Sequence, residues 1–70
     1  IPISNWLQND LKPFVDLYFD EQFIEKQNIF NNGEIQKIKR SFYHGKIERA
    51  EKIWYLLMFQ MWYDKWINNN

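Results

Sequence analysis

Site chemistry needs a nucleophile, an acid–base group, a set of metal ligands or an anion cradle, and this 70-residue sequence is sparing with all of them. Its single histidine, His44, stands beside Gly45. A general base needs an orienting acid and a nucleophile within reach. None is evident, so a helix-end cation or a loop histidine is the simpler reading. Asp20 and Glu21 are adjacent acids. They suggest a glycosidase-type pair only on paper, because acids at such positions ordinarily start helices. Cysteine is absent, which excludes a disulfide framework and a Cys-based zinc site. A phosphate cradle converges backbone N–H groups from a Gly-rich turn, and the only glycines, Gly33 and Gly45, are too far apart to make one. Tryptophans can stack on bases or sugars, but Trp54, Trp62 and Trp66 recur at helical spacing beside Leu and Met, the pattern of a core. Met58 and Met61 read as gap fillers. No residue stands out as catalytic, metal-ligating or cofactor-binding.

The elements that carry these residues are helical throughout, with no run of period-two alternation. Ser4 is a candidate N-cap for a first short helix carrying Trp6 and Leu7. Asp10 is a candidate cap for a second, with Pro13 in its first turn, where no backbone donor is required. Leu11, Phe14, Leu17 and Tyr18 then share a face. A third helix is expected after Asp20, with Glu21 at its positive end and Phe23 and Ile24 buried. Asn28 is suited to the left-handed residue that ends it. The fourth start is the clearest. Asn31 and Glu34 form a variant capping box, and Phe30 and Ile35 have hydrophobic-staple spacing. Ile35, Ile38 and Phe42 point inward and Glu34, Lys37 and Arg40 outward, until Gly45 stops the helix. The last helix is expected from about Ile47 to Ile67, with fraying at Asn68, Asn69 and Asn70.

That last helix is unusual. From Ile53 to Tyr63 only Gln60 lacks an apolar or aromatic body. One face (Ile53 or Trp54, Leu57, Met61) can pack on the preceding helices. A second face, Tyr55, Phe59, Trp62 and Trp66, has the same spacing and needs another surface. A helix apolar all round is normally central to a larger core, and four short helices are few to surround it. Aromatic residues make up 20% of the chain, a large burial potential for a body that encloses only about 60% of its unfolded surface. An exposed aromatic stripe marks a contact site.

Net charge is zero, so no global field draws nucleic acid or an anionic membrane. The charge is nonetheless uneven. Residues 1–36 hold Asp10, Asp16, Asp20, Glu21, Glu25 and Glu34, and residues 37–52 hold Lys37, Lys39, Arg40, Lys46, Arg49 and Lys52. Neighbouring helix faces attracting each other weakly explain this split; a phosphate patch or a nucleic-acid interface over 37–52 is the lesser reading. The apolar block falls well short of the ~20 residues that span a bilayer, and no charged n-region of a signal peptide opens the chain. Absent cysteine is compatible with the cytoplasm.

Two separated motifs carry a family resemblance. IPISNWLQNDL (Ile1 to Leu11) resembles the Pro-apolar-x-x-Trp-Leu segment near the end of glutamine-hydrolysing asparagine synthetases. EKIWYLLMFQMWYDKW (Glu51 to Trp66) resembles the closing helix of that family, in which an Ile-Trp or Leu-Trp pair leads into Leu-Leu-Met-Phe. Between them, Phe19 to Ile38 is similar to the linking helices and Ser41 to Lys46 to the loop before the last helix. Asn28 stands where many members carry glycine.

The resemblance implies a single helical segment over residues 1–70, the C-terminal part of an asparagine synthetase-like domain. By itself it is an all-α bundle of four to five short helices with a long, strongly apolar last helix. Its parent is a larger α/β synthetase domain of the adenine nucleotide alpha hydrolase kind. The family's parent enzyme, an ATP-dependent amide ligase of the cytoplasm, makes asparagine from aspartate, glutamine and ATP. Its amino-terminal cysteine and its Ser-Gly-Gly-x-Asp-Ser loop are not found here, so no catalytic residue carries over and ATP and Mg belong to the parent. The expected partners are the rest of the parent domain and, for the segment alone, further copies of itself; nucleic acid and membrane are not expected. Tyr55, Phe59, Trp62 and Trp66 are the candidate interaction residues. The alternative is a stand-alone helical protein–protein interaction module that uses the same stripe.

Overall fold

Five α-helices succeed one another in the computed structural model, which describes residues 2–68: α1 (Ile3–Gln8), α2 (Lys12–Tyr18), α3 (Glu21–Gln27), α4 (Asn32–Tyr43) and α5 (Ala50–Tyr63). A 3-10 turn, Ile47–Arg49, leads into α5, and a wider π turn, Asp64–Asn68, follows it. The helix expected from Ile47 to Ile67 is therefore continuous helical chain, tightened at its start and loosened at its end. Asn68 is held by its side-chain amide, which donates to Asp64 Oδ1 (3.2 Å); Asn69 and Asn70, also expected to fray, lie outside the described residues.

Helix boundaries follow local chemistry at four of the predicted points. Asp20 Oδ2 accepts from the backbone N–H of Gln22 (3.1 Å) and Phe23 (3.3 Å) to start α3. Asn28, at φ 58°, ends it in the left-handed conformation that asparagine tolerates. Asn31 Oδ1 accepts from Glu34 N (3.0 Å) to start α4, and a Cβ on Gly33 would sit 3.2 Å from that same oxygen. Gly45, at φ 116°, turns the chain out of α4. Two predicted caps are not used. Ser4 lies inside α1, whose first turn opens at Pro2. Asp10 caps nothing, because α1 passes into α2 through a backbone turn in which Leu11 N donates to Trp6 O (2.8 Å) and Lys12 N to Asn9 O (3.2 Å). Pro13 does fall in the first turn of α2.

The core gathers Leu7 of α1, Val15 and Phe19 from α2 and its end, Ile24 of α3, Ile35 and Phe42 of α4, and Ala50, Ile53 and Leu57 of α5. Each fully buried aliphatic or phenyl side chain contributes roughly 1.5–3 kcal/mol of transfer free energy. Helix α5 lies against α1, α2 and α4, while α3 closes over α2 and α4. The face expected of α2 is corrected here. Val15 is its buried residue, flanked by half-buried Leu11 and Tyr18, whereas Phe14 is exposed and Leu17 is 58% exposed. Both stripes satisfy helical spacing in so short an element. Docking of Val15 and Phe19 chose between them. Phe23, expected in the core, is only half-buried and packs edge-on against Tyr18 (5.7 Å) and Tyr63 (6.5 Å).

Candidate functional site: the outer face of α5

Helix α5 has a buried side and an aromatic side, and the residue that sequence singled out as polar lies on the buried one. Gln60 is 1% exposed, following Ile53 and Leu57 at helical spacing. Met61, expected in that place, is 37% exposed. Gln60 can be buried because its amide is fully used. Its Oε1 accepts from Gln27 Nε2 (2.7 Å), and its Nε2 donates to Gln27 Oε1 (3.0 Å) and to Tyr18 O (3.0 Å). The last bond satisfies a carbonyl that the C-terminus of α2 leaves without an intrahelical partner. Two further side chains do the same work. The Tyr43 hydroxyl donates to Leu7 O (2.6 Å) near the end of α1, and Gln36 Nε2 donates to Phe19 O at the end of α2. Among the described residues no buried side-chain nitrogen or oxygen lacks a partner.

The opposite side carries the predicted stripe. Tyr55 is 64% exposed, Trp62 51% and Trp66 59%. Phe59 departs from the other three. It is half-buried, edge-on to Phe30 (5.6 Å), with Trp62 (5.8 Å) and Tyr63 (6.3 Å) beside it. Phe59 thus anchors the stripe to the residue that begins the fourth helix's capping sequence. Met58 and Met61 were predicted as core filler. Both are exposed, so the apolar surface is wider than the four aromatic positions. Trp66 stands on the π turn with Lys65 Nζ over its ring (5.2 Å). Trp6 and Trp54 form a separate tilted pair at the far end (6.5 Å). The exposed methionines could not have been found from spacing, since apolar residues surround this part of α5 and its one polar residue, Gln60, faces inward.

The charged candidates resolve into structural roles. Asp20 is a helix cap, and Glu21 accepts from Asn32 Nδ2 (3.2 Å). The predicted attraction between acidic and basic segments is realised at Asp16, which pairs with Lys12 (3.1 Å) on its own helix and with Lys39 of α4 (3.2 Å). Burial raises the Asp16 carboxyl pKa, but the hydrogen bonds and charges of the two lysines outweigh it, and the net shift is downward. His44 is exposed on the rim of the cleft these residues share with Arg40 and Tyr43. Burial, reinforced by the Asp16 charge, pushes the Tyr43 hydroxyl up to about 12. Burial and the hydrogen bond to Asp64 likewise raise Tyr18. Each phenol is thereby held as a neutral donor rather than poised as a base.

Among the described residues no group of three or more His, Asp or Glu side chains is placed to hold a metal ion, and no helix is long and apolar enough to cross a membrane. Comparison of the chain with protein-family models, with curated proteins and with solved structures gives no match.

Proposed function

We propose that this chain is the carboxy-terminal helical segment of an asparagine synthetase-like amide ligase, and that the outer face of α5 is a contact surface for the rest of the parent domain. The observation that carries the proposal is the stripe of Tyr55, Met58, Trp62 and Trp66, large side chains left open to water on one helix. Residues of this size and type rarely line a monomer's surface side by side unless something covers them. The resemblance in IPISNWLQNDL and EKIWYLLMFQMWYDKW supplies the identity of the cover. The parent chemistry is ATP-dependent transfer of glutamine nitrogen to a carboxylate, aspartate in the family's namesake. The segment's part in it is structural: α5 is the helix around which the parent's helical layer closes.

The reading frame upstream of Ile1 tests this directly. An open frame encoding a Ser-Gly-Gly-x-Asp-Ser loop is the expected result, and a start codon beside Ile1 overturns it. The isolated chain is expected to release no ammonia from glutamine and to show no micromolar ATP binding in calorimetry.

A second reading has its own supporting observation. The radius of gyration, 11.7 Å, is near the ~11 Å of a compact domain this long. Together with the satisfied buried side-chain polar atoms of the described residues, it favours a helical module that folds alone and takes up an amphipathic partner helix on the stripe. The start codon that overturns the first reading supports this one.

A further inference from the structure

The six bases of residues 37–52 do not form one patch. Lys39 and Arg40 face the α2–α4 cleft, where Asp16 pairs with both Lys39 and Lys12. Lys37, Arg49 and Lys52 converge elsewhere, on a recess of about 150 Å³ between α4 and the start of α5, with Ser41, Ile38 and Glu34 completing its lining. Among the described residues none of these three cations makes an ion pair.

The placement is electrostatically unfavourable as it stands. Arg49 precedes the first residue of α5 and Lys52 lies in its first turn, beside the positive end of the helix dipole, where cations are disfavoured. Glu48 and Glu51 occupy the same turns but do not line the recess. Three cations share this recess with a single carboxylate, Glu34, and pair with none, an excess of positive charge that a bound anion relieves.

We infer that this recess is a binding site for a doubly charged tetrahedral oxyanion of the phosphate class. Three cations set against Glu34 leave two positive charges, which match a phosphate dianion. The guanidinium of Arg49 offers a planar fork to two oxygens, the ammonium groups of Lys37 and Lys52 offer point charges, and the Ser41 hydroxyl is a neutral donor. Ile38 keeps one wall apolar. The recess is smaller than the ~300–1,000 Å³ of drug-sized ligand pockets, so it takes a phosphate group and not a whole nucleotide. It is independent of the aromatic face and of the ligase assignment.

Titration of the full 70-residue chain with inorganic phosphate at pH 7.5, at constant ionic strength, tests this by amide chemical shifts. The expected result is saturable shifts confined to the neighbourhood of Lys37, Ser41, Arg49 and Lys52, at millimolar affinity. Arg49→Gln and Lys52→Gln should each weaken binding about fivefold, the loss of one screened charge–charge attraction. Glu34→Gln should tighten binding, and Lys39→Gln in the other cleft should leave it unchanged. Acetate should bind about fivefold more weakly than phosphate. Equal affinity for acetate overturns the phosphate class. Unsaturable shifts, shifts spread equally to Lys12 and Lys39, or indifference to Arg49→Gln overturn the site.

Discussion

Gln60→Leu is the substitution that separates a polar key from a polar accident. Leucine, one atom shorter, keeps the helix propensity of the side chain and adds apolar area in a position 1% exposed, a gain of about 1.5 kcal/mol. Against this stand three lost hydrogen bonds, to both amide atoms of Gln27 and to Tyr18 O, at about 1 kcal/mol each. The half-buried Gln27 amide can turn to water, but the Tyr18 carbonyl is stranded at the end of α2, which adds about 1–2 kcal/mol. The net expectation is a loss of about 2.5–3.5 kcal/mol. A chain of this length has roughly 4–10 kcal/mol in total, so the shift is large in urea unfolding followed by far-UV circular dichroism at low micromolar concentration. The double variant Gln27→Leu/Gln60→Leu is the control. With both halves of the amide pair replaced, its cost should fall short of the sum of the single costs by about 1–2 kcal/mol. A Gln60→Leu chain as stable as the parent, or strictly additive single costs, refutes the reasoning.

Tyr43→Phe removes the donor to Leu7 O and should cost about 1 kcal/mol near neutral pH. The parent should also lose stability between about pH 10 and about pH 12, because the unfolded phenol, near 10, gives up its proton before the folded one, near 12. Unfolding curves across that range should be flatter for Tyr43→Phe. Trp62→Asp places a charge in the exposed stripe; sedimentation should show it shifting self-association, and a hydrophobic dye should bind less, while Lys37→Asp changes neither. Equal effects of the two substitutions would remove the stripe as the contact. Gly45→Ala meets no atom within 4 Å, so its cost is the backbone strain of φ 116° alone, about 1–2 kcal/mol in Tm or urea measurements.

The reasons for starting and stopping helices were legible in the sequence wherever the partner lies a few residues away. Asp20, Asn28, Asn31 and Gly45 all act within their own turn, and capping chemistry depends on residue type and spacing alone. Ser4 and Asp10 are equally good caps by type and were passed over, Ser4 because α1 already opens at Pro2 and Asp10 because the link from α1 to α2 is closed by backbone bonds. The stripe of Tyr55, Phe59, Trp62 and Trp66 was legible as a face by its spacing, but which of its members stay open was not. Phe59 is half-covered only because Phe30 arrives from the approach to α4.

Sequence by itself therefore determined the all-helical class, the interruptions between helices and the excess of aromatic surface, since each depends on contacts within one turn. Tertiary structure alone decided that Gln60 faces inward and Met61 outward, that α2 buries Val15 rather than Leu17, and that Lys37, Arg49 and Lys52 meet in one recess. The hydrogen bonds that make those choices join partners such as Tyr43 and Leu7 or Gln60 and Tyr18, 36 and 42 positions apart. A periodic pattern fixes which residues share a helix face; the carbonyls and cavities offered by neighbouring helices fix which face is turned toward them.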